Sequence, residues 1–166
     1  MRAESSSRPA GAGETSTAGT FTRLLCHVVF STKHRANLIA PELQARLYDY
    51  LGGIVRGERG RAHEIGGVAD HVHLLIQWRT DEALSTLMRR LKANSSRWLH
   101  AEFPAMRGFA WQEGYAAFTV SPSQFETVRR YVQNQPAHHQ QRGFVEELKA
   151  LLDAHGIEYD ERYLQD

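Results

Sequence analysis

VADHVHLLIQW, residues 68–78, reads as a β-strand that carries two histidines among Val, Leu and Ile. A short apolar run bounded by Gly and polar residues suits a strand better than a helix. Strand side chains alternate between faces, so His71 and His73 share a face with Leu75, and Val72, Leu74 and Ile76 share the other. Two imidazoles at this spacing can offer two neutral nitrogens to one metal ion. The same pair on an exposed sheet face would simply be solvated, and so short a pattern does not decide between the two.

Outward from this run the chain alternates strands and helices. AHEIGGVAD, residues 62–70, supplies a preceding short strand, with a tight connection between Gly66 and Asp70. FTRLLCHVVFST, residues 21–32, is β-rich and apolar and is expected to be the first, central strand. Pro41 opens a helix with Leu43, Leu47, Tyr50, Leu51 and Ile54 at helical spacing, weakened late by Gly52 and Gly53. A second, long amphipathic helix is expected from the cap Thr80 and the acids Asp81 and Glu82, with Leu84, Leu87, Met88, Leu91 and Trp98 on one face. GYAAFTV, residues 114–120, reads as a fourth strand, and SPSQFETVRRYVQNQ, residues 121–135, as a helix introduced by Ser121 and Pro122. GFVEELKALLDAHG, residues 143–156, is a C-terminal helix stopped by Gly156. The order βαββαβ followed by two helices predicts an α+β fold: a ferredoxin-like split βαβ antiparallel sheet with helices packed on one face and the second face left open.

Composition narrows the class. With 42 % hydrophobic and 23 % charged residues in 166, the chain has material for one ordinary domain with a real core. Residues 1–20 are nearly all small, polar or charged, so they are expected to form a disordered tail ahead of a single domain over residues 21–166. The net charge of +1 gives no global argument for nucleic-acid binding, which would need a local patch. The single cysteine, Cys26, excludes an internal disulfide and a cysteine-based metal framework, and a reduced, cytoplasmic setting is expected. No run has the apolar length of a membrane span.

Other chemistry-bearing residues lie beyond the strands. Phe125, Val128 and Val132 define the buried stripe of the 121–135 helix. At about 100° per residue, Tyr131 and Gln135 fall on one flank of that stripe, about 40° apart. A tyrosine offers a phenolic nucleophile and a glutamine a carbonyl oxygen for a hard metal, but a tyrosine at a core boundary with its hydroxyl in water is the better reading of spacing alone, which does not choose among the six tyrosines. Pro136 biases Gln135 away from helical geometry, which leaves His138 and His139 as alternative ligands.

Taken together, FSTKHR (residues 30–35), DHVHLL (70–75), WQEGYAAFTVS (111–121) and YVQNQPAHH (131–139) with the trailing GIEYDERYL (156–164) resemble the TnpA transposases of small insertion sequences. These are single-tyrosine HUH endonucleases, and their relatives are the REP-associated tyrosine transposases. The resemblance covers residues 21–166. It implies His71 and His73 as metal ligands, Gln135 as the third ligand and Tyr131 as the nucleophile. It implies Mg²⁺ or Mn²⁺ as the ion, single-stranded DNA with hairpins at element ends as the substrate, and a homodimer as the working unit. The implied reaction is metal-assisted transesterification through a 5′-phosphotyrosine link, which conserves phosphodiester energy for rejoining. A phenol with a free pKa of about 10 needs help to lose its proton, from the metal's field, from a cation such as Lys33, or from a base.

Lys33 and Arg35, the helix residues Arg89, Arg90, Lys92 and Arg97, and the pair Arg129 and Arg130 are the candidate DNA contacts, though singly each also reads as a solvated helix face. Trp111 and Tyr115 are candidate stacking surfaces or buried aromatics. A single-stranded nucleic-acid-binding module without catalysis, whether inactive or host-adopted, is the main alternative. A hydrolase using a metal-bound water is the third.

Overall fold

Strand β1 (Leu24–Ser31) is the hub of the sheet, because both its edges are paired. In the computed structural model, which describes residues 19–139 and 143–164, β1 is followed by α1 (Pro41–Gly57), β2 (Arg61–Gly67), β3 (His71–Trp78), α2 (Leu84–Glu102) and β4 (Ala116–Thr119). Helices α3 (Phe125–Gln133), α4 (Gln135–His138) and α5 (Phe144–Ala154) complete it. The strands lie in the order β2-β3-β1-β4 and every pairing is antiparallel, which is the split βαβ arrangement. The tail expected over residues 1–20 falls, apart from Gly19 and Thr20, outside the described residues. Among the described residues no helix is long and apolar enough to cross a membrane.

The alternation read in β3 divides the molecule. Val72, Leu74, Ile76 and Trp78 face α1 and α2 and join Val28, Phe30, Leu47, Leu51, Leu87, Met88 and Leu91 in the main core. Each such aliphatic is worth roughly 1.5–3 kcal/mol of burial. The second face, bearing His71 and His73, is covered by α3 and α5, and a smaller cluster of Val29, Phe118 and Leu152 lies there. The second face, expected to be open, is closed because α3 and α5 pack over it, so both faces of β3 are shut to water and the two histidines are core residues.

Two local expectations change. α2 begins at Leu84 rather than at Thr80 and has no side-chain cap. Asp81 and Glu82 are instead drawn to Arg79, and the Trp78 indole N–H donates to the Glu82 carbonyl at 2.9 Å, so residues 79–83 form a tied loop. The helix expected over residues 121–135 breaks at Asn134, and Gln135 opens a new turn with Pro136 at its start. By contrast α1 runs through Gly52 and Gly53 unbroken, because buried Leu43, Leu47, Leu51 and Val55 hold its stripe against the core. Trp111 is a core residue, packed edge-on against Phe30 and donating its indole N–H to Ser95 at 2.8 Å, whereas Tyr115 is exposed.

Gly66 sets the seat of α3. It pairs with His73 in the β2–β3 register, and a Cβ built on it would lie 2.1 Å from the Val132 carbonyl oxygen of α3. Only a residue without a side chain lets the helix backbone come this close to the strand. Gly66→Ala is expected to destabilise the fold by about 1–3 kcal/mol through overpacking. Thermal denaturation checks this, and an unchanged melting temperature would show that α3 does not rest on this glycine.

Candidate active site

His71 and His73 project from β3 into the space beneath α3 and α5, and both are 0 % exposed. Burial of an imidazole is costly unless its nitrogens are engaged, and here each ring has one nitrogen engaged. His71 Nδ1 donates to the Asp70 carboxylate at 2.6 Å. Asp70 is itself positioned by Thr32, whose backbone N–H and hydroxyl both donate to the Asp70 carbonyl, at 2.8 and 3.1 Å. His73 Nδ1 lies 2.8 Å from Nε2 of His27, which comes from β1 on the same face. With the His73 proton on Nδ1, His27 accepts and Nε2 of His73 keeps its lone pair. Burial, with His73 as its next neighbour, pushes His27 down to about 3, so it stays neutral and able to accept.

The opposite nitrogens complete the picture. Nε2 of His71, Nε2 of His73 and Oε1 of Gln135 are buried without a hydrogen-bond partner among the described residues. All three are atoms that bind metal through a lone pair, and unsatisfied buried polar atoms are rare enough to need a cause. Gln135 reaches the site although its helix breaks before it. The break at Asn134 and the new turn at Gln135 send its side chain inward, and it too is 0 % exposed.

Glu147 of α5 ties the site together, and sequence reasoning missed it. Its Oε1 accepts from the Tyr131 hydroxyl and, at 2.9 Å, from Nε2 of Gln135. Its Oε2 is bonded to Nε2 of His139 at 2.7 Å and lies 3.4 Å from His71 Nε2 and 3.5 Å from His73 Nε2. His71, His73 and Glu147 offer one atom each within 4.8 Å of one another, a grouping able to hold a metal ion. A signal was available: Glu147 stands on the α5 stripe of Phe144, Leu148, Leu151 and Leu152, where a solvated acid does not belong. His27, a polar residue within the apolar strand LLCHVV, was a weaker signal of the same kind.

The charges agree with this geometry. Burial would raise the Glu147 carboxyl, but the His71 and His73 imidazoles facing it at 3.4 and 3.5 Å, with the Tyr131 hydroxyl, outweigh that and hold the group well below the usual carboxylate range. Burial likewise works against a charged His71, yet Asp70 and Glu147 pull its pKa above 6.5. Burial dominates at His73 and brings it down to about 4. The site thus presents an ionised carboxylate, a neutral His73 and a His71 that gives up its proton only against two acids.

Tyr131 lies beside these groups, its ring 5.8 Å from that of His73 and 5.9 Å from that of His27. His138 packs on Tyr131 at 5.0 Å and His139 on His71 at 4.5 Å; of the two, His139 is bonded to the cluster through Glu147. The candidate DNA contacts scatter. Lys33 and Arg35 follow β1 at the end where Ser31 pairs with His71, and Arg35 also donates to the Leu164 carbonyl at 2.7 Å. Arg129 is paired with Glu126 and Glu64, and Arg130 is exposed. Arg89, Arg90, Lys92 and Arg97 are on α2, across the sheet from the histidines. There Arg90 pairs with Glu58 and Glu82, and Lys92 donates to the Gln112 carbonyl at 2.7 Å.

The family described as "Transposase IS200 like" matches residues 20–135. The ISDra2 transposase TnpA of Deinococcus radiodurans is 25 % identical over 114 residues, 66 % of this chain and 81 % of that protein. A transposase crystal structure from D. radiodurans R1 superposes with a TM-score of 0.59 at 24 % identity, covering 74 % of this chain and 98 % of that one. A REP-associated tyrosine transposase bound to a REP hairpin superposes at 0.55 with 12 % identity, covering 76 % of this chain and 74 % of that one. The family match takes in β1, the two histidines, Tyr131 and Gln135 but ends before α5. On these grounds the chain belongs to the IS200-like transposase family.

Proposed function

We propose that this protein is a DNA transposase that cleaves and rejoins single-stranded DNA through Tyr131. The observation that supports it most is the set of three lone-pair atoms, on His71, His73 and Gln135, left without partners beside a tyrosine whose hydroxyl is bonded to a buried carboxylate. These atoms fit a divalent cation. Two imidazoles alone would suit Zn²⁺, but the Gln135 carbonyl and the neighbouring Glu147 oxygen shift the donor set toward the harder Mg²⁺ or Mn²⁺. Such an ion, when bound, supplies Lewis acidity toward a non-bridging oxygen of the scissile phosphate.

The chain's own residues do the rest. Asp70 and His27 fix the two imidazole planes, so the ligand nitrogens need no reorganisation when DNA arrives. The Tyr131 oxygen attacks phosphorus while its proton passes to Oε1 of Glu147, the atom it already bonds. A carboxylate with so low a pKa cannot strip a phenol in advance, so the proton moves as the P–O bond forms. The bond to the 3′ oxygen breaks, Glu147 hands the proton on to that oxygen so that it leaves as a 3′-hydroxyl, and the 5′-phosphate remains on Tyr131. Attack by a 3′-hydroxyl on that linkage reverses the step, the proton returning to Tyr131. Lys33 and Arg35 at the His71 end of the sheet, with Arg129 and Arg130 on α3, are the cations proposed to hold flanking phosphates. The α2 cations face away from the scissile phosphate and at most bind distal DNA. Hairpin-bearing strands as substrate, a homodimer as the working unit and a cytoplasmic setting belong to the same proposal.

Mixing the protein with hairpin oligonucleotides from its own genomic flanks and Mn²⁺ should give a covalent adduct on a denaturing gel, mapping by mass spectrometry to Tyr131. Tyr131→Phe should abolish the adduct with DNA binding nearly unchanged; persistence of the adduct would remove Tyr131 as nucleophile. Glu147→Gln should slow adduct formation by about 10²–10⁴-fold as the proton acceptor is lost. Metal binding should also report His71. Its proton is held above the ordinary 6.5, and the ion requires the lone pair, so Mn²⁺ affinity should fall about tenfold per pH unit once pH drops below the raised value. Asp70→Asn should move that fall to lower pH, which electron paramagnetic resonance titration of Mn²⁺ can measure.

A further inference from the structure

Beside Tyr131 and His27 lies a cavity of about 490 Å³. Phe118 of β4, Gln124, Thr127 and Val128 of the α3 segment, Leu151 of α5 and His155 just after it line the cavity together with Tyr131 and His27. We infer that this cavity receives an unpaired nucleobase next to the scissile phosphodiester. The inference rests on the proposed transesterase reading and extends it from the phosphate to the base.

The chemistry of the lining selects that class of ligand. Among the described residues no Lys, Arg, Asp or Glu lines the cavity, so it suits neither a phosphate nor a metal ion. Its walls are aromatic and aliphatic, while Thr119, Ser121, Gln124 and Thr127 bring hydroxyl and amide groups to it. A flat ligand with apolar faces and a hydrogen-bonding edge matches such walls, and an unstacked base is that ligand. Its volume lies within the range of small-molecule pockets, about 300–1,000 Å³.

A stacking platform is already assembled. The His155 ring lies on Phe118 with centroids 4.4 Å apart and planes 29° from parallel. Phe118 is buried beneath, and His155 is exposed. The His155 Nδ1–H donates to the Leu151 carbonyl at 2.8 Å, which fixes the ring plane and leaves Nε2 with a lone pair to accept from a base amino group. Gln124 can both donate and accept, and so can read a base edge.

Position supplies the rest of the argument. Tyr131 is shared: its hydroxyl engages Glu147 while its ring walls the cavity, so a base held there belongs to a nucleotide flanking the bond under attack. Filling the cavity would splay that base out of its strand and fix the phosphate against the nucleophile. Leu151 and His155 lie beyond the residues matched by the family, so this chain builds part of the cavity from its own C-terminal helix.

The test uses Tyr131→Phe protein and the flanking strand whose cleaved bond the adduct assay maps, with abasic sites placed one at a time at each nucleotide around that bond. One flanking abasic site should weaken binding about tenfold, the scale of base–aromatic stacking. His155→Ala and Gln124→Ala, added to that background, should weaken the intact strand by a similar factor and erase the difference between intact and abasic strands. Thr127→Trp, which fills the cavity from an exposed helix position, should do the same with Mn²⁺ binding retained. An abasic penalty that survives unchanged in all three variants, or no penalty at any flanking position, overturns the inference. If Thr127→Trp changes only the oligomeric state, the cavity holds a side chain of a second copy and the inference also fails. Absence of a covalent adduct with an intact abasic pattern would sink the nucleophile assignment while leaving the base pocket standing.

Discussion

Two imidazoles sealed inside the protein on one strand are the constraint around which this structure is organised. Each buried ring has one nitrogen engaged by another part of the chain, Asp70 from the hairpin turn for His71 and His27 from the neighbouring strand for His73, while Glu147 from the last long helix stands 3.4 and 3.5 Å from the nitrogens left over. The second face of the sheet is polar at its centre for this reason. An aliphatic pair at His71 and His73 would pack as well and leave nothing for Asp70, His27 or Glu147 to engage. Polar atoms left unmatched after these partners are counted are the ones that can hold a metal.

Backbone geometry then brings Tyr131, the proposed nucleophile, to the imidazoles. Opposite His73 the strand carries Gly66, and the carbonyl of Val132 fills the space a side chain would take. Tyr131 and Gln135 flank that contact in sequence. The helix break at Asn134 prevents Gln135 from continuing down the α3 flank and turns it into the interior, where its amide donates to Glu147 and its carbonyl oxygen is left free. Pro136 is part of this device, since the first turn of a helix is where proline is tolerated.

The sheet also partitions charge. α1 and α2 cover the apolar face, and most of their cations are engaged locally, Arg90 with Glu58 and Glu82 and Lys92 with loop carbonyls. Groups able to meet a phosphate at Tyr131 lie at the His71 end and on α3. A near-neutral total charge is compatible with DNA binding when the cations that matter sit on one side of a sheet.

Period and punctuation made the strands, α1 and the order βαββαβ legible from the residues alone, because alternation on a strand and spacing on a helix are local properties. The pairing of His71 with His73 on one face followed from that alternation without any tertiary knowledge. The loop at residues 79–83 was not legible, because Arg79, Trp78 and Arg59 compete for Asp81 and Glu82 from outside the expected helix. The carboxylate at the centre was not found either. Glu147 lies far from the histidines in sequence, and only the packing of α5 against the sheet brings it among them. Local alternation thus put the two histidines on one face, while the tyrosine and the glutamine were singled out only by the resemblance of four segments to a known family. Tertiary structure decided that they are buried together, that a glutamate joins them and that a cavity opens beside the tyrosine, since burial and convergence depend on contacts between segments no local pattern records.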